Sequence, residues 1–322
     1  MRKMHVRLFL AAVVAVAMTS ACQALDWPKS TITIVVPTAA GGGTDLSART
    51  FARHAREVLG VQMVVMNVPG GGSFNGTKKA HDSAPDGNTI LFSHNTLIAN
   101  YVTGLAPYSV DGFEIGPRTV SDNALGLFVG KDFPAKDMKE FVEECKRRPG
   151  QVSSATEVGA NTYFLLMALQ NATGIELKIV DAGNNAERAT AVLGGHIDSM
   201  PNSMGTVKGY VESGDFRSLG FTDKVRNEVF PDIPTCQEQG VDFVFPGYEF
   251  SFFFPKGTPE EIVAKFDEAA KQVVNSEAYK KDILKLGFVP KYLDRNENTR
   301  DYAEMQKMYE ELAAQMRAAQ KK

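Results

Sequence analysis

This 322-residue sequence is poor in the residues that build metal sites and disulfide scaffolds. It contains three cysteines, Cys22, Cys145 and Cys236, and none of its five histidines shows a metal-ligand spacing such as His-x-x-x-His. We therefore expect no metal ion and no disulfide framework. We interpret Cys145 and Cys236 as separate small hydrophobic residues, with a bridge in an oxidising compartment as the alternative.

Nucleotide-binding motifs are also missing, although the first third of the chain is rich in glycine. The segment 70–78 is not a P-loop, which needs Gly-Lys-Ser/Thr, because Thr77 stands directly before Lys78. The glycines at 41–43 lack the Gly-x-Gly-x-x-Gly spacing of dinucleotide-binding folds. The sequence therefore predicts no bound cofactor.

One apolar run, from Leu8 to Met18, is about eleven residues long, whereas a membrane-spanning helix needs about 20. Basic residues precede this run, and small residues follow it as far as Ala24. This pattern predicts a cleaved secretory signal peptide over residues 1–24 and a soluble, exported mature protein. Lipid anchoring at Cys22 is the less favoured alternative, because Thr19 stands where a Leu-like residue normally precedes a lipidated cysteine.

Charge and length narrow the function classes further. Cleavage after residue 24 would remove three of the 35 basic residues and none of the 38 acidic residues, leaving 32 basic against 38 acidic. An acidic surface does not favour nucleic acid as a partner. About 298 mature residues exceed what one hydrophobic core usually organises, so the length predicts two domains.

Strand-like and helix-like segments alternate along the chain. The first set has strands at 31–37, 62–67 and 89–92 and helices at 45–59 and 75–83; the second has strands at 125–129, 152–155, 176–180, 197–200 and 217–221 and helices at 136–148, 161–172 and 186–193. This alternation predicts the α/β class with parallel sheets. A strand at 248–255, a helix from Pro259 to Val274 and an amphipathic helix over 299–320 follow, and we expect the last to cover one face of a sheet. Since no flexible linker is visible, a pair of crossing strands should join the domains.

Polar, Gly-rich loops follow the predicted strands. They are 38–44, 69–75 and 93–96 in the first domain and 156–162, 181–185 and 201–203 in the second. The ligands of open α/β sheets bind outside the carboxyl ends of the parallel strands, so each set should form one wall of a cleft. Where such a loop starts a helix, unpaired backbone N–H groups and the helix dipole can hold a carboxylate without a cationic side chain. The alternative is that these residues simply furnish turns and helix caps.

Two residues of the first set call for separate interpretations. His94 follows the third strand, at the same sheet edge as the Gly-rich loops, and we expect it to line the site. Asp45 stands four residues before Arg49, so we expect it to stabilise the start of its helix and to pair locally rather than bind a ligand.

These segments resemble the substrate-binding proteins of tripartite tricarboxylate transporters, the Bug or TctC-like family, over almost the full length. The similar motifs are Trp27-Pro28, Val36-Pro37, Gly42-Gly43-Thr44-Asp45, Ala48-Arg49, Asn67-Val68-Pro69-Gly70-Gly71-Gly72, Ala84-Pro85-Asp86-Gly87, Leu193-Gly194-Gly195-His196-Ile197-Asp198, Pro231-Asp232-Ile233-Pro234-Thr235 and Pro255-Lys256-Gly257-Thr258-Pro259. Each motif is modest alone, but their order along the chain makes the resemblance specific.

The resemblance implies a periplasmic binding protein fold of type II, with two α/β domains and a ligand cleft between them. We expect a signal peptide at 1–24, a first domain at 25–122 plus 247–322 and a second domain at 123–246. The implied ligand is a small mono- or dicarboxylate, the implied partners are the membrane permease subunits of the transporter, and a periplasmic monomer is expected. Family sites hold one carboxylate with N–H groups, hydroxyls and bridging waters of the first-domain loops.

Carried onto this sequence, that arrangement predicts a specific set of binding residues. They are Thr38, Ala39, Gly42, Gly43, Thr44, Ser73, Asn75, Ser93, His94, Asn95, Thr156, Asn161, Thr162, Asp181, Asn184, Asn185 and Asn202. In the second domain the family's Tyr-x-Gly-Gly-Ala is replaced by Ala182-Gly183-Asn184-Asn185-Ala186, which changes the contacts available to the far end of the ligand. No arginine stands in the cleft loops, which argues against a tricarboxylate.

Two other functions are compatible with a cleft of this kind. A sensor that presents its ligand to a membrane signalling protein would have the same sequence features. An exported hydrolase would need a nucleophile or base with a positioning partner; Glu157 and His94 are the candidates, and neither has a visible third member.

Overall fold

The computed structural model describes residues 26–157, 159–183 and 185–319, so the predicted signal peptide and Cys22 lie outside the described residues. The strands are β1 (Ile32–Val36), β2 (Met63–Asn67), β3 (Thr89–Ser93), β4 (Phe113–Asp122), β5 (Leu125–Gly130), β6 (Ser153–Thr156), β7 (Lys178–Asp181), β8 (Ser199–Ser203), β9 (Phe216–Phe221), β10 (Tyr248–Pro255) and β11 (Val289–Leu293). The helices are α1 (Gly43–Leu59), α2 (Phe74–His81), α3 (Thr96–Val102), α4 (Met138–Arg147), α5 (Asn161–Thr173), α6 (Asn185–Leu193), α7 (Met204–Glu212), α8 (Glu260–Asn275), α9 (Glu277–Lys285) and α10 (Arg295–Ala319).

The strands form two sheets. The first has the order β11-β4-β10-β3-β1-β2 and the second the order β7-β6-β8-β5-β9. In each, three consecutive strands run parallel: β1 pairs with β2 and β3, and β6 pairs with β7 and β8. We call the part built on the first sheet the first lobe and the part built on the second sheet the second lobe.

The expectation of parallel sheets holds for those strands, and the remaining strands run antiparallel to their neighbours. In the first sheet β10 runs antiparallel to β3 and β4, and in the second β5 runs antiparallel to β8 and β9. Alternating strands and helices report parallel crossovers, but β4, β5 and β10 are the strands by which the chain passes between the lobes. Their direction follows from that passage rather than from a crossover helix.

Two crossings join the lobes. The chain leaves the first sheet at Asp122 and enters β5 at Leu125, and it returns into β10 at Tyr248, which is the register partner of Asp122. A Cβ atom on Gly247 would lie 1.8 Å from the carbonyl oxygen of Asp122. The close approach of the two crossing strands therefore requires glycine at this position.

Packing differs between the faces of the first sheet. One face is covered by α1, α8 and α9 through a cluster of aromatic rings in which Phe252 lies between Phe51 and Phe266. The other face belongs to a larger core that continues into the second lobe and includes Tyr302 and Tyr309 of α10. The terminal helix thus packs against β4 and α3 of the first lobe and also against α5 of the second, beyond the single sheet face that was predicted.

Several elements were not predicted. They are β4, α3, α7, α9 and β11, and β8 runs two to three residues later than the predicted strand at 197–200. The sequence of β4 contains Gly116, Pro117, Arg118 and Asp122, which mask its strand character because such residues normally punctuate or leave a sheet. In this protein the Arg118 side chain is buried and ion-paired, as described below.

The two cysteines of the described chain lie in the hydrophobic core. Cys145 and Cys236 are both buried and unbridged, which confirms their interpretation as separate hydrophobic residues. Among the described residues, no helix is long and apolar enough to cross a membrane. Nor do three or more His, Cys, Asp or Glu side chains of the described chain cluster where they could hold a metal ion.

Candidate functional site

The first Gly-rich loop leads into α1 with its helix N-terminus left open. Gly42 is the N-cap residue, and the first helical hydrogen bond runs from the Leu46 N–H to the Gly42 carbonyl. The N–H groups of Gly43 and Thr44 therefore precede the hydrogen-bonded ladder and remain available to an anion. Thr38, Ala39 and Gly43 are partly or fully exposed along this loop.

Asp45 fixes the shape of this loop. Its carboxylate accepts hydrogen bonds from the Gly41 N–H at 2.9 Å, from Arg49 Nε at 3.0 Å and from Asn67 Nδ2 at 2.9 Å. Although burial opposes ionisation, these hydrogen bonds lower the pKa of Asp45. The predicted local pair of Asp45 with Arg49 is confirmed. The carboxylate holds the loop in place through these hydrogen bonds and is not left free for a ligand.

The second loop is a run of left-handed residues. Gly70, Gly71 and Gly72 have φ values of 109°, 58° and 59°, and Ser73 follows with φ 77°. Ser73 is the one residue other than glycine in the described chain with positive φ, and its side chain makes no capping hydrogen bond to α2. Asn75, also a predicted binding residue, is exposed, and its Nδ2 reaches the Pro69 carbonyl at 3.5 Å.

The end of β3 brings Ser93 and His94 next to the first loop. Ser93 is the last residue of β3 rather than a loop residue, and neither its hydroxyl nor that of Thr38 has a hydrogen-bond partner within the described chain. Burial lowers the pKa of His94 to about 3, so the ring is neutral. Its Nδ1 accepts a hydrogen bond from the Thr96 N–H at 3.3 Å. The imidazole packs edge-on against Tyr248 and Phe250, so it offers the site an aromatic surface and no positive charge.

Asn95 and Asn161 connect the lobes. Asn95 Nδ2 lies 3.3 Å from Asn161 Oδ1, 3.2 Å from the Gly247 carbonyl and 2.9 Å from the Tyr309 hydroxyl, which itself donates to Asn161. Both asparagines are fully buried. The Asn95 amide, predicted as a ligand donor, is therefore occupied by protein acceptors, whereas Asn161 Nδ2 has no partner in the described part of the chain.

The second lobe presents its own polar wall. Thr156 and Thr162 join their hydroxyls at 2.8 Å, and both are buried at the junction of β6 and α5. Asn202 belongs to β8 and not to a loop as predicted, because β8 runs through Ser203; its side-chain oxygen accepts from the Ser203 N–H. Asp181 ends β7 with an exposed side chain, and Asn184 lies outside the described residues.

Arg188 was missed by sequence reasoning. It is 2% exposed, and its guanidinium donates to Thr162 Oγ1 at 3.3 Å, to the Gly183 carbonyl at 3.3 Å and to Asn185 Oδ1. The cleft loops themselves contain no arginine, as stated from the sequence, but Arg188 reaches one of them from α6. A side chain in the first turn of a helix points back towards the helix N-terminus, so Arg188 on α6 reaches the loop that precedes it.

The two walls lie close together. A Cβ atom at Gly159 of the second lobe would lie 3.6 Å from Thr103 at the end of α3. Tyr248, next to the crossing point, packs against His94 and interacts electrostatically with Arg188. By contrast, a cavity of about 320 Å³ bordered by Gly130, Arg148 and Asp198 lies at the opposite edge of the second sheet, away from both walls.

Comparisons with known proteins agree with this architecture. Residues 47–316 match the model of the tripartite tricarboxylate transporter family receptors, TctC. A Cupriavidus necator protein described as a UPF0065 protein in the gbd 5' region is 30% identical over 304 residues, covering 89% of this chain and 86% of that protein.

Solved structures extend the similarity to the fold. The periplasmic binding protein BugD is 26% identical with a TM-score of 0.73, covering 91% of this chain and 98% of its own. MatC from Rhodopseudomonas palustris with bound malate is 24% identical with a TM-score of 0.75, covering 89% of this chain and 100% of its own. An R. palustris protein with adipate is 22% identical with a TM-score of 0.78, covering 90% of this chain and 98% of its own. The predicted two-lobed fold of periplasmic binding proteins is confirmed. Receptors of this kind are periplasmic solute-binding proteins and not enzymes, and this chain belongs to the tripartite tricarboxylate transporter receptor family.

Proposed function

We propose that the protein is an exported receptor that closes its two lobes on a small organic carboxylate and delivers it to the membrane permease of a tripartite transporter. The observation that carries this proposal is the open N-terminus of α1 at Gly42–Thr44, together with the unpartnered hydroxyls of Thr38 and Ser93, which lie at the ends of the neighbouring strands β1 and β3. Donors without acceptors, grouped at one sheet edge, are a site for an anion.

The proposed lobes are 25–122 with 247–322, and 123–246. The crossing at Asp122 and Tyr248 supports these limits, because the chain changes sheet there. The mature chain is proposed to begin after residue 24 and to act as a periplasmic monomer. Hinge motion at the crossing strands would let the permease distinguish the loaded receptor from the empty one.

We propose binding rather than catalysis for this cleft. His94, the base that a hydrolase would use, is neutral, accepts a backbone N–H and is packed between aromatic rings. This environment suits a residue that shapes the pocket, whereas a general base is tuned to a pKa near the working pH.

A thermal-shift screen of the mature protein tests the proposal. We expect malate, adipate and related straight-chain carboxylates to include at least one stabilising ligand, because the malate- and adipate-bound proteins above share the fold. A ligand at one hundred times its Kd should raise the free energy of unfolding by about 2.7 kcal/mol. The dimethyl esters serve as controls. Stabilisation by esters and acids alike, or by none of the carboxylates, would contradict an anion-specific receptor.

A further inference from the structure

Two arginines of the described chain are almost completely buried, and only one of them has an ion-pair partner. Arg118, 1% exposed, is ion-paired with Glu249 at 3.0 Å and also with Asp301. Arg188, 2% exposed, donates hydrogen bonds to three neutral oxygens; Glu157 and Asp181 act on it electrostatically, but neither forms an ion pair with it. The Nε atoms of both arginines lack an acceptor among the described residues.

A buried guanidinium without a counter-ion is unfavourable. Buried charges in proteins are normally paired, since moving an ion out of water costs several kcal/mol even after relaxation. Arg188 also lies in the first turn of α6, where the helix dipole disfavours a positive charge. Burial lowers the pKa of Arg188 even though Tyr248, Glu157 and Asp181 oppose this shift, whereas the ion-paired carboxylates keep the pKa of Arg118 raised despite its burial.

The position of the guanidinium shows where the missing partner belongs. Its hydrogen bond to Thr162 places it at the start of α5, beside Asn161, whose Nδ2 is also unpartnered within the described ranges. Asn161 contacts Asn95 of the first lobe. Tyr248 interacts electrostatically with Arg188 and packs its ring against His94. Arg188 therefore lies on the second wall, facing the first lobe.

We infer that Arg188 binds a second carboxylate at the far end of the ligand, so that the second lobe distinguishes a dicarboxylate from an otherwise equal monocarboxylate by charge. This inference rests on the proposed function, in which the first carboxylate occupies the N-terminus of α1. A planar guanidinium matches a carboxylate in two parallel hydrogen bonds, and it forms them at lower cost where it is already desolvated and held by neutral acceptors.

The test is calorimetric titration of the mature protein with dicarboxylates from succinate to adipate, each compared with its monoamide. A dicarboxylate and its monoamide have the same length and differ by one charge. We expect the wild type to bind its preferred dicarboxylate at least tenfold more tightly than the monoamide. In Arg188→Gln that ratio should fall below about threefold, with the affinity for the monoamide changed by less than about threefold.

Arg147→Gln is the matched control, because Arg147 is an exposed arginine of the same lobe and its loss changes the net charge equally. It should keep the wild-type ratio. Arg188→Lys, a second variant, retains the charge without the planar fork and should keep an intermediate ratio. Equal ratios in the wild type and Arg188→Gln would overturn the inference while leaving a carboxylate receptor. Failure of every carboxylate to bind the wild type would overturn the proposed function itself.

The melting temperature of the ligand-free protein distinguishes ligand binding from a purely structural role of Arg188. Removal of an uncompensated buried charge should leave the melting temperature of Arg188→Gln equal to that of the wild type or higher. A large fall in melting temperature together with an unchanged ligand ratio would show that the guanidinium only holds the Gly183 and Thr162 segments together.

Discussion

The two walls of the cleft are built from different chemistry. The first lobe offers main-chain N–H groups and hydroxyls, and the carboxylate of Asp45 behind its first Gly-rich loop is neutralised by Arg49 and local donors. The second lobe offers a buried cation, Arg188, surrounded by neutral oxygens. The first wall can therefore accept any carboxylate of suitable size, whereas the second can select among carboxylates by charge.

The largest effect is expected at the crossing strands, where Asp122 lies near both walls. Asp122 is a buried carboxyl at the crossing point, and both Asp122 and Arg188 interact electrostatically with Tyr248. Burial raises the pKa of Asp122 to about 7. If Asp122 were ionised in the folded protein at lower pH, the second wall would already have negative charge nearby.

We expect the stability of the wild type to fall with rising pH because of Asp122. Below about pH 4 this group is protonated in both states. Between about pH 4 and 7 it ionises in the unfolded chain but not in the folded one, so the folded state loses about 4 kcal/mol of stability. Asp122→Asn should lack this loss and be more stable than the wild type above pH 7. Urea unfolding from pH 4.5 to 8 measures it, with the exposed Glu57→Gln as control. Parallel pH profiles for Asp122→Asn and the wild type would show that Asp122 is charged throughout.

A backbone change on the first wall should have the next largest effect. A Cβ atom on Gly43 would lie 2.7 Å from Cζ of Phe288, a buried ring packed against Phe250. Gly43→Ala must therefore displace either the ring or the start of α1. We expect the affinity for any carboxylate, mono or di, to fall about 10- to 100-fold, which is about 1.4–2.7 kcal/mol.

Gly209→Ala is the control for this substitution. Gly209 lies inside α7 with open space around a Cβ atom, so alanine should stabilise that helix by about 0.5–1 kcal/mol without affecting binding. If Gly43→Ala weakened dicarboxylates but not monocarboxylates, the first wall would be selecting by charge, and the comparison between the walls would fail.

The sequence was sufficient for features that local pattern controls. The alternating strands and helices around β1–β3 and β6–β8, the Gly-rich corners at 41–44 and 70–73, and the pairing of Asp45 with Arg49 all follow from spacing within a few residues. The resemblance to a known family supplied the two-lobed architecture. The second binding wall was less accessible to this kind of reasoning.

The features that were missed depend on contacts between distant segments. The sequence of β4 looks like an interrupted strand because nothing local shows that Arg118 will be ion-paired. Its partners are Glu249, 131 positions later, and Asp301. Asn95 was expected to face a ligand because nothing local shows that Gly247 and Tyr309 will occupy its amide. Arg188 was overlooked because it belongs to a helix, although the direction of side chains in a first helical turn was a usable signal.

The smallest effect is expected at Ser73, where backbone strain and the hydroxyl can be separated. With φ at 77°, serine occupies a conformation that costs about 1 kcal/mol and that glycine adopts freely. Ser73→Gly should raise the free energy of unfolding by about 0.5–1 kcal/mol, whereas Ser73→Ala keeps a Cβ atom in the left-handed region and should leave it unchanged. Both variants lose the hydroxyl, so both should weaken carboxylate binding by the same few-fold factor, measured by titration calorimetry beside chemical denaturation. Should the alanine variant bind as tightly as the wild type, Ser73 would contribute the shape of the loop to the first wall and not a hydrogen bond.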